Sequence, residues 1–162
     1  MKTKNKGFTL VELVVVVAIM GILIGLTGLS VSSVSSANAR RCSESINTMI
    51  SKCRTACLSS SVVVKLKLSL DSDGNVIGTF YENDMPVNTD TIPAHGVTIT
   101  YTTDNGATVP LEGNPLTLYY DRSTGAQKPL ADNVTYCTAI NFTSNRTYTI
   151  ALVRSTGYHK LV

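Results

Sequence analysis

The sequence predicts an α+β protein: a long N-terminal helix, about residues 8–59, whose second half packs on an antiparallel β-sheet head. Three observations carry this. From Phe8 to Leu29 there are 22 residues and one charge, Glu12. Beyond that run, Cys42, Ile46, Met49, Cys53 and Cys57 recur at steps of four, three, four and four, which is one face of a helix. After Ser61 the period changes to two, as in Val64-Lys65-Leu66-Lys67-Leu68-Ser69-Leu70, the pattern of a half-buried strand. A long helix followed by antiparallel strands is an α+β plan.

The helix has no proline to stop it, since the first is Pro86, and Ser59-Ser60-Ser61 marks its expected end. Phe8 to Ser59 would span about 78 Å at about 1.5 Å per residue, more than a head of about 100 residues can bury. Its first half therefore needs lipid or other copies of the chain as cover. Gly21, Gly25 and Gly28 lie at helical spacing. They suit close helix packing in a membrane, or a stretch that loosens on leaving it.

In the head, Asp71-Ser72-Asp73-Gly74-Asn75 is a turn, and Val76–Tyr81 returns to form a hairpin. The segment from Glu82 to Pro93, polar and holding Pro86 and Pro93, is expected to be a loop. Strands are predicted at Val97–Thr102, Leu116–Tyr120, Val134–Phe142 and Tyr148–Val153, with a short edge strand at Tyr158–Val162. No internal repeat or second-domain linker is visible. The domain plan is a basic leader at 1–7, an apolar half-helix at 8–30 and a head at 31–162.

The net charge of +3 comes from 14 basic and 11 acidic residues, and Lys2, Lys4 and Lys6 supply the excess. Without 1–7 the balance is 11 to 11, and nothing in it argues for nucleic acid as a partner. The run Phe8–Leu29, about 33 Å as a helix, matches a bilayer core of about 30 Å. It is too long for the apolar region of a secretory signal, which spans about 7–15 residues. An uncut single-span anchor fits hydropathy alone, and the leader lysines favour the N-terminus inside. A carboxylate inside such a run needs a partner.

The segment Gly7-Phe8-Thr9-Leu10-Val11-Glu12, behind a short basic leader and ahead of an apolar run, resembles the type III signal of type IV pilins and pseudopilins. The close likeness covers roughly residues 1–30. It implies cleavage by prepilin peptidase between Gly7 and Phe8, N-methylation of Phe8, and pairing of Glu12 with the N-terminus of a neighbouring subunit. It also implies a membrane-held precursor, a pilus assembly machine, and extraction into an extracellular fibre of like or related subunits. The helix-and-sheet plan agrees with a type IV pilin-like fold. The alternatives are a pseudopilin of a secretion or DNA-uptake system, and a membrane-tethered binding module that never polymerises. A DNA-uptake role calls for a basic stripe, and only Lys65 and Lys67 share a strand face.

No catalytic constellation is present. His95 and His159 stand among turn residues, outside any catalytic motif, and no P-loop, dinucleotide fingerprint or HExxH occurs. No cofactor is expected. Asp71, Asp73 and Asn75 alternate as calcium ligands do, but the strand after them leaves a hairpin turn as the better account. The sequons at Asn133, Asn141 and Asn145 are expected of Thr-rich strands.

Cys42, Cys53, Cys57 and Cys137 suit an oxidising exterior. A zinc site is the weaker alternative. Along a straight helix Cys42 lies about 16 Å from Cys53 and about 22 Å from Cys57, beyond the roughly 7 Å that a disulfide allows. A Cys53–Cys57 bridge would strain a regular turn. The expected bridge therefore joins Cys137 to Cys53 or Cys57, leaving Cys42 free or acting between subunits.

Overall fold

The computed structural model describes residues 9–130 and 134–162, without the side chains of residues 25–33. The chain forms two compact units, Met1–Val34 and Ser35–Val162. Helix α1 runs from Leu10 to Ser59 and is continuous through Gly21, Gly25 and Gly28.

In the first unit every described helical residue from Leu10 to Ile24 is exposed. Its large apolar side chains range from 46% exposed at Val16 to 81% at Leu10, with no sheltered face. An apolar helix exposed all round is a membrane or assembly element, because water gives it no stable resting state. Among the described residues no helix is long and apolar enough to cross a membrane. In the sequence the apolar run goes on past Ile24 to Leu29.

In the second unit α1 is amphipathic. Cys42, Ile46, Met49, Ile50, Cys53 and Cys57 are buried, whereas Arg40, Arg41, Glu44, Thr48 and Lys52 are exposed. The buried stripe joins one core with residues of two antiparallel sheets. One sheet has the order β3-β2-β1-β6, built from β1 (Val64–Leu70), β2 (Val76–Glu82), β3 (Met85–Ile92) and β6 (Leu116–Tyr119). The other has the order β5-β4-β7-β8-β9, built from β4 (Thr98–Thr103), β5 (Thr108–Pro110), β7 (Cys137–Thr143), β8 (Thr147–Val153) and β9 (Tyr158–Leu161). The expected single sheet is thus two, although the α+β, type IV pilin-like plan holds.

Leu66 and Leu68 of β1 face the core, and Leu118 and Leu116 of β6 lie opposite them. Lys65 and Lys67 take the other face, as their alternation requires. Gly78 of β2 makes room for the helix: a Cβ there would come within 2.6 Å of Met49 Sδ. In the second sheet, Ile140 and Phe142 of β7 and Ile150 of β8 close the core.

The expected loop over Glu82–Pro93 is instead strand β3. Asn83 (φ 48°) and Asp84 (φ 65°) make a tight turn after β2, and β3 pairs back from Met85 to Ile92. Pro86 is tolerated because β3 is an edge strand and no neighbour needs its missing N–H. Strand β5 is a second element that the sequence pattern does not show. The final hairpin begins at Cys137, not Val134.

Candidate assembly site

The N-terminus of α1 is closed by a reciprocal ring between Thr9 and Glu12. The Thr9 N–H donates to Glu12 Oε2 at 3.2 Å, and the Thr9 hydroxyl donates to the same oxygen at 3.1 Å. The Glu12 N–H donates back to Thr9 Oγ1 at 3.3 Å. The Thr9 carbonyl accepts the first intrahelical bond, from the Leu13 N–H. Thr9 is therefore the N-cap and Glu12 the third helical residue, the two ends of a capping box. A helix start leaves several N–H groups without intrahelical partners, and this ring satisfies two donors at once. Sequence reasoning singled out Glu12 but missed Thr9, although Thr9-x-x-Glu12 is the capping-box pattern ahead of an apolar run. Gly7 and Phe8, the expected cleavage and methylation positions, lie outside the described residues.

The four cysteines are buried free thiols. The Cys57 thiol donates to the Val64 carbonyl at 3.0 Å and that of Cys53 to the Leu118 carbonyl at 3.8 Å. Cys53 is pushed up, first by its hydrogen bond with Cys57 and then by burial, and the same bond holds Cys57 below the ordinary thiol. Burial pushes Cys42 and Cys137 up to about 12. Tyr120, buried beside Cys53, Cys137 and Cys57, is raised by burial first and then by those thiols. The structure thus brings three of the cysteines around one phenol, with Cys42 further back along the helix. The expected bridge from Cys137 is not formed in this structure; the Cys137 thiol donates to the Ala139 carbonyl at 3.5 Å. Gln127, buried, holds the Cys137 backbone, its amide oriented to donate to the carbonyl at 2.9 Å and accept from the N–H at 3.2 Å.

The remaining candidates resolve into turn and strand contacts. Asp71 Oδ1 accepts from the N–H groups of Asp73 (2.9 Å) and Asn75 (2.8 Å), and Gly74 takes φ 77° to close the turn. Among the described residues no cluster of three or more His, Cys, Asp or Glu is placed to hold a metal ion. Asn141 is half-buried in β7 and its Oδ1 accepts from the Thr149 hydroxyl at 2.9 Å. Asn145 is exposed, and Asn133 lies outside the described residues. His95 is exposed, but His159 is half-buried, with Nε2 at 2.7 Å from Ser51 Oγ.

A capped, apolar first half of α1 and an amphipathic second half buried against antiparallel sheets make a type IV pilin-like α+β fold. Residues 2–28 match the family model described as the prokaryotic N-terminal methylation motif. That match supports membership of the type IV pilin and pseudopilin family, with a membrane-anchored precursor processed by prepilin peptidase. No curated protein and no solved structure matches the chain.

Proposed function

We propose that this chain is a structural subunit of a type IV pilus-like fibre. It would be held in the cytoplasmic membrane by a single span with its N-terminus inside, cut between Gly7 and Phe8, methylated on Phe8, and polymerised through α1. The observation that carries this is the all-round exposure of the apolar side chains from Leu10 to Ile24, within the stretch that matches the methylation motif. About 25 cal/mol per Å² favours their burial against lipid or other helices.

Glu12 has the central part in this proposal. Cleavage frees a positive amine at Phe8, and a second copy brings its amine to the carboxylate. Unpaired in an apolar fibre core, that carboxylate would cost several kcal/mol, and a pair costs much less. The head is a structural display surface and needs no catalytic group. Mass spectrometry of sheared surface material tests the proposal: it should find this chain beginning at methylated Phe8. Retention of the whole pool in the membrane would instead indicate a tether.

A further inference from the structure

The outer face of the sheet β3-β2-β1-β6 carries a pattern that the core does not use. Residues directly opposite each other in a sheet point to the same side. Lys65 pairs with Tyr119 of β6 and with Tyr81 of β2, so one row across the face reads Tyr119, Lys65, Tyr81. The next row reads Thr117, Lys67, Thr79, Thr89. Both tyrosines and both lysines are half-buried, yet neither ring belongs to the core cluster. Lys65 is neutralised by Asp84 at 2.6 Å, and its ammonium lies 5.6 Å from the centre of the Tyr119 ring. Lys67 has no ion pair among the described residues. Beside Tyr119 the surface opens into a cleft of about 520 Å³, walled in part by Leu58, Val63, Arg122 and Lys128. There Lys128 pairs with Asp121 at 2.8 Å, while Arg122 has no ion pair among the described residues.

We propose that this face and the cleft beside it bind an acidic polysaccharide of the uronic-acid type, laid across the strands, with sugar rings on Tyr119 and Tyr81 and carboxylates at Lys67 and Arg122. This is a function of the head surface and does not depend on the fibre role. Neighbouring strands lie about 4.8 Å apart, so the two tyrosines stand about 10 Å apart with the lysine strand between them. The face of an aromatic ring is negative, and the C–H bonds on the flat side of a sugar ring present the complementary positive charge. The threonine row supplies hydroxyls that both donate and accept, as sugar hydroxyls do. With Lys65 and Lys128 already paired, Lys67 and Arg122 leave the surface with two positive charges to be met, which selects a ligand that carries carboxylates over a neutral one. A nucleic acid fits less well, because its affinity comes from neutralising many phosphates and two cations supply little of that.

The test titrates the full chain in detergent micelles with oligogalacturonate, with a neutral oligoglucoside of equal length and with oligothymidylate, and reads affinity by calorimetry. The wild type should bind the uronate oligomer most tightly, and added salt should weaken that binding. Tyr81→Ala and Tyr119→Ala should each weaken it severalfold, whereas Tyr81→Phe and Tyr119→Phe, which keep the ring, should stay close to wild type. Lys67→Gln should bring uronate binding down towards that of the neutral oligomer, and Lys67→Arg should restore the difference. Lys160→Gln, on β9 of the other sheet, removes the same charge elsewhere and should change nothing. Absence of uronate binding, equal binding of the neutral oligomer, or wild-type affinity in the Tyr→Ala and Lys67→Gln variants would overturn the proposal. Tighter binding of oligothymidylate would overturn it in favour of a nucleic acid.

Discussion

Ser51 on α1 and His159 on β9 meet at 2.7 Å between Oγ and Nε2, a contact 108 residues apart in the chain. The Ser51 hydroxyl also donates to the Asn47 carbonyl at 3.0 Å, which leaves its oxygen to accept from the ring. This pair ties the last strand to the helix.

A pH dependence follows. Burial first, and nearby Arg54 in addition, hold His159 below its usual value of 6.5. Folded protein then binds fewer protons than unfolded protein at mildly acidic pH. Stability is complete above about pH 6.5 and declines as the pH falls below it. Urea unfolding of the head at pH 7.5 and pH 5 should show this decline, and His159→Gln should reduce it. Equal slopes for the two proteins would remove His159 as the cause.

At alkaline pH the buried thiols act in the opposite sense to acid. Cys42 is raised to about 12 from 9.0, so between those values the folded reduced head holds a proton that the unfolded chain releases. Its contribution is complete below about pH 9 and is lost as the pH rises towards 12. Cys42→Ala should unfold less steeply with pH across that window, as followed by circular dichroism.

Gly157 should tolerate no side chain. Its φ is +61°, and a Cβ would collide with the Gly125 carbonyl oxygen and come within 2.9 Å of Tyr120 Cδ1. Arg54 lies against the same two glycines and donates from Nη2 to the Thr156 carbonyl at 3.0 Å. The left-handed backbone alone costs about 1–2 kcal/mol. With the collision, Gly157→Ala should lose more than about 2 kcal/mol, read as a lower Tm of the head. An unchanged Tm would show that the two turns separate freely.

Oxidation of the cysteines has a direct test. A non-reducing peptide map of exported material should link Cys137 to Cys53 or Cys57 and leave Cys42 outside the intrachain bridge. Closing a loop of roughly 80 residues gives about 4–5 kcal/mol in the chain-entropy model, less any strain. A map with Cys137 reduced would refute the bridge and match the free thiols of this structure.

Glu12→Ala should insert in the membrane and be cleaved at Gly7–Phe8, yet yield fewer fibres. Gly7→Val should block the cut. Both are read by mass and by fractionation between the membrane pool and sheared material. Fibres containing an intact leader would exclude the proposed processing.

The sequence by itself determined the elements whose cause is local. The helix was legible because the stripe from Cys42 to Cys57 repeats at helical spacing over four turns. The β1–β2 and β7–β8 hairpins were legible because alternating runs flank turn residues. Even the Thr9–Glu12 ring, not recognised from the sequence, was available in it, because its partners stand three residues apart. Tertiary structure alone decided the rest. Strand β3 is polar and contains Pro86, and it is a strand only because β2 offers it an edge and Asn83 and Asp84 accept positive φ. The division into two sheets depends on β1 choosing β6, about 50 residues away, as its second neighbour. His159 stands among turn residues in the sequence, and only β9 carries it to Ser51. Neighbours that distant in the chain leave no periodic trace, since what selects them is burial against the shared helix, a property of the assembled core and of no single segment.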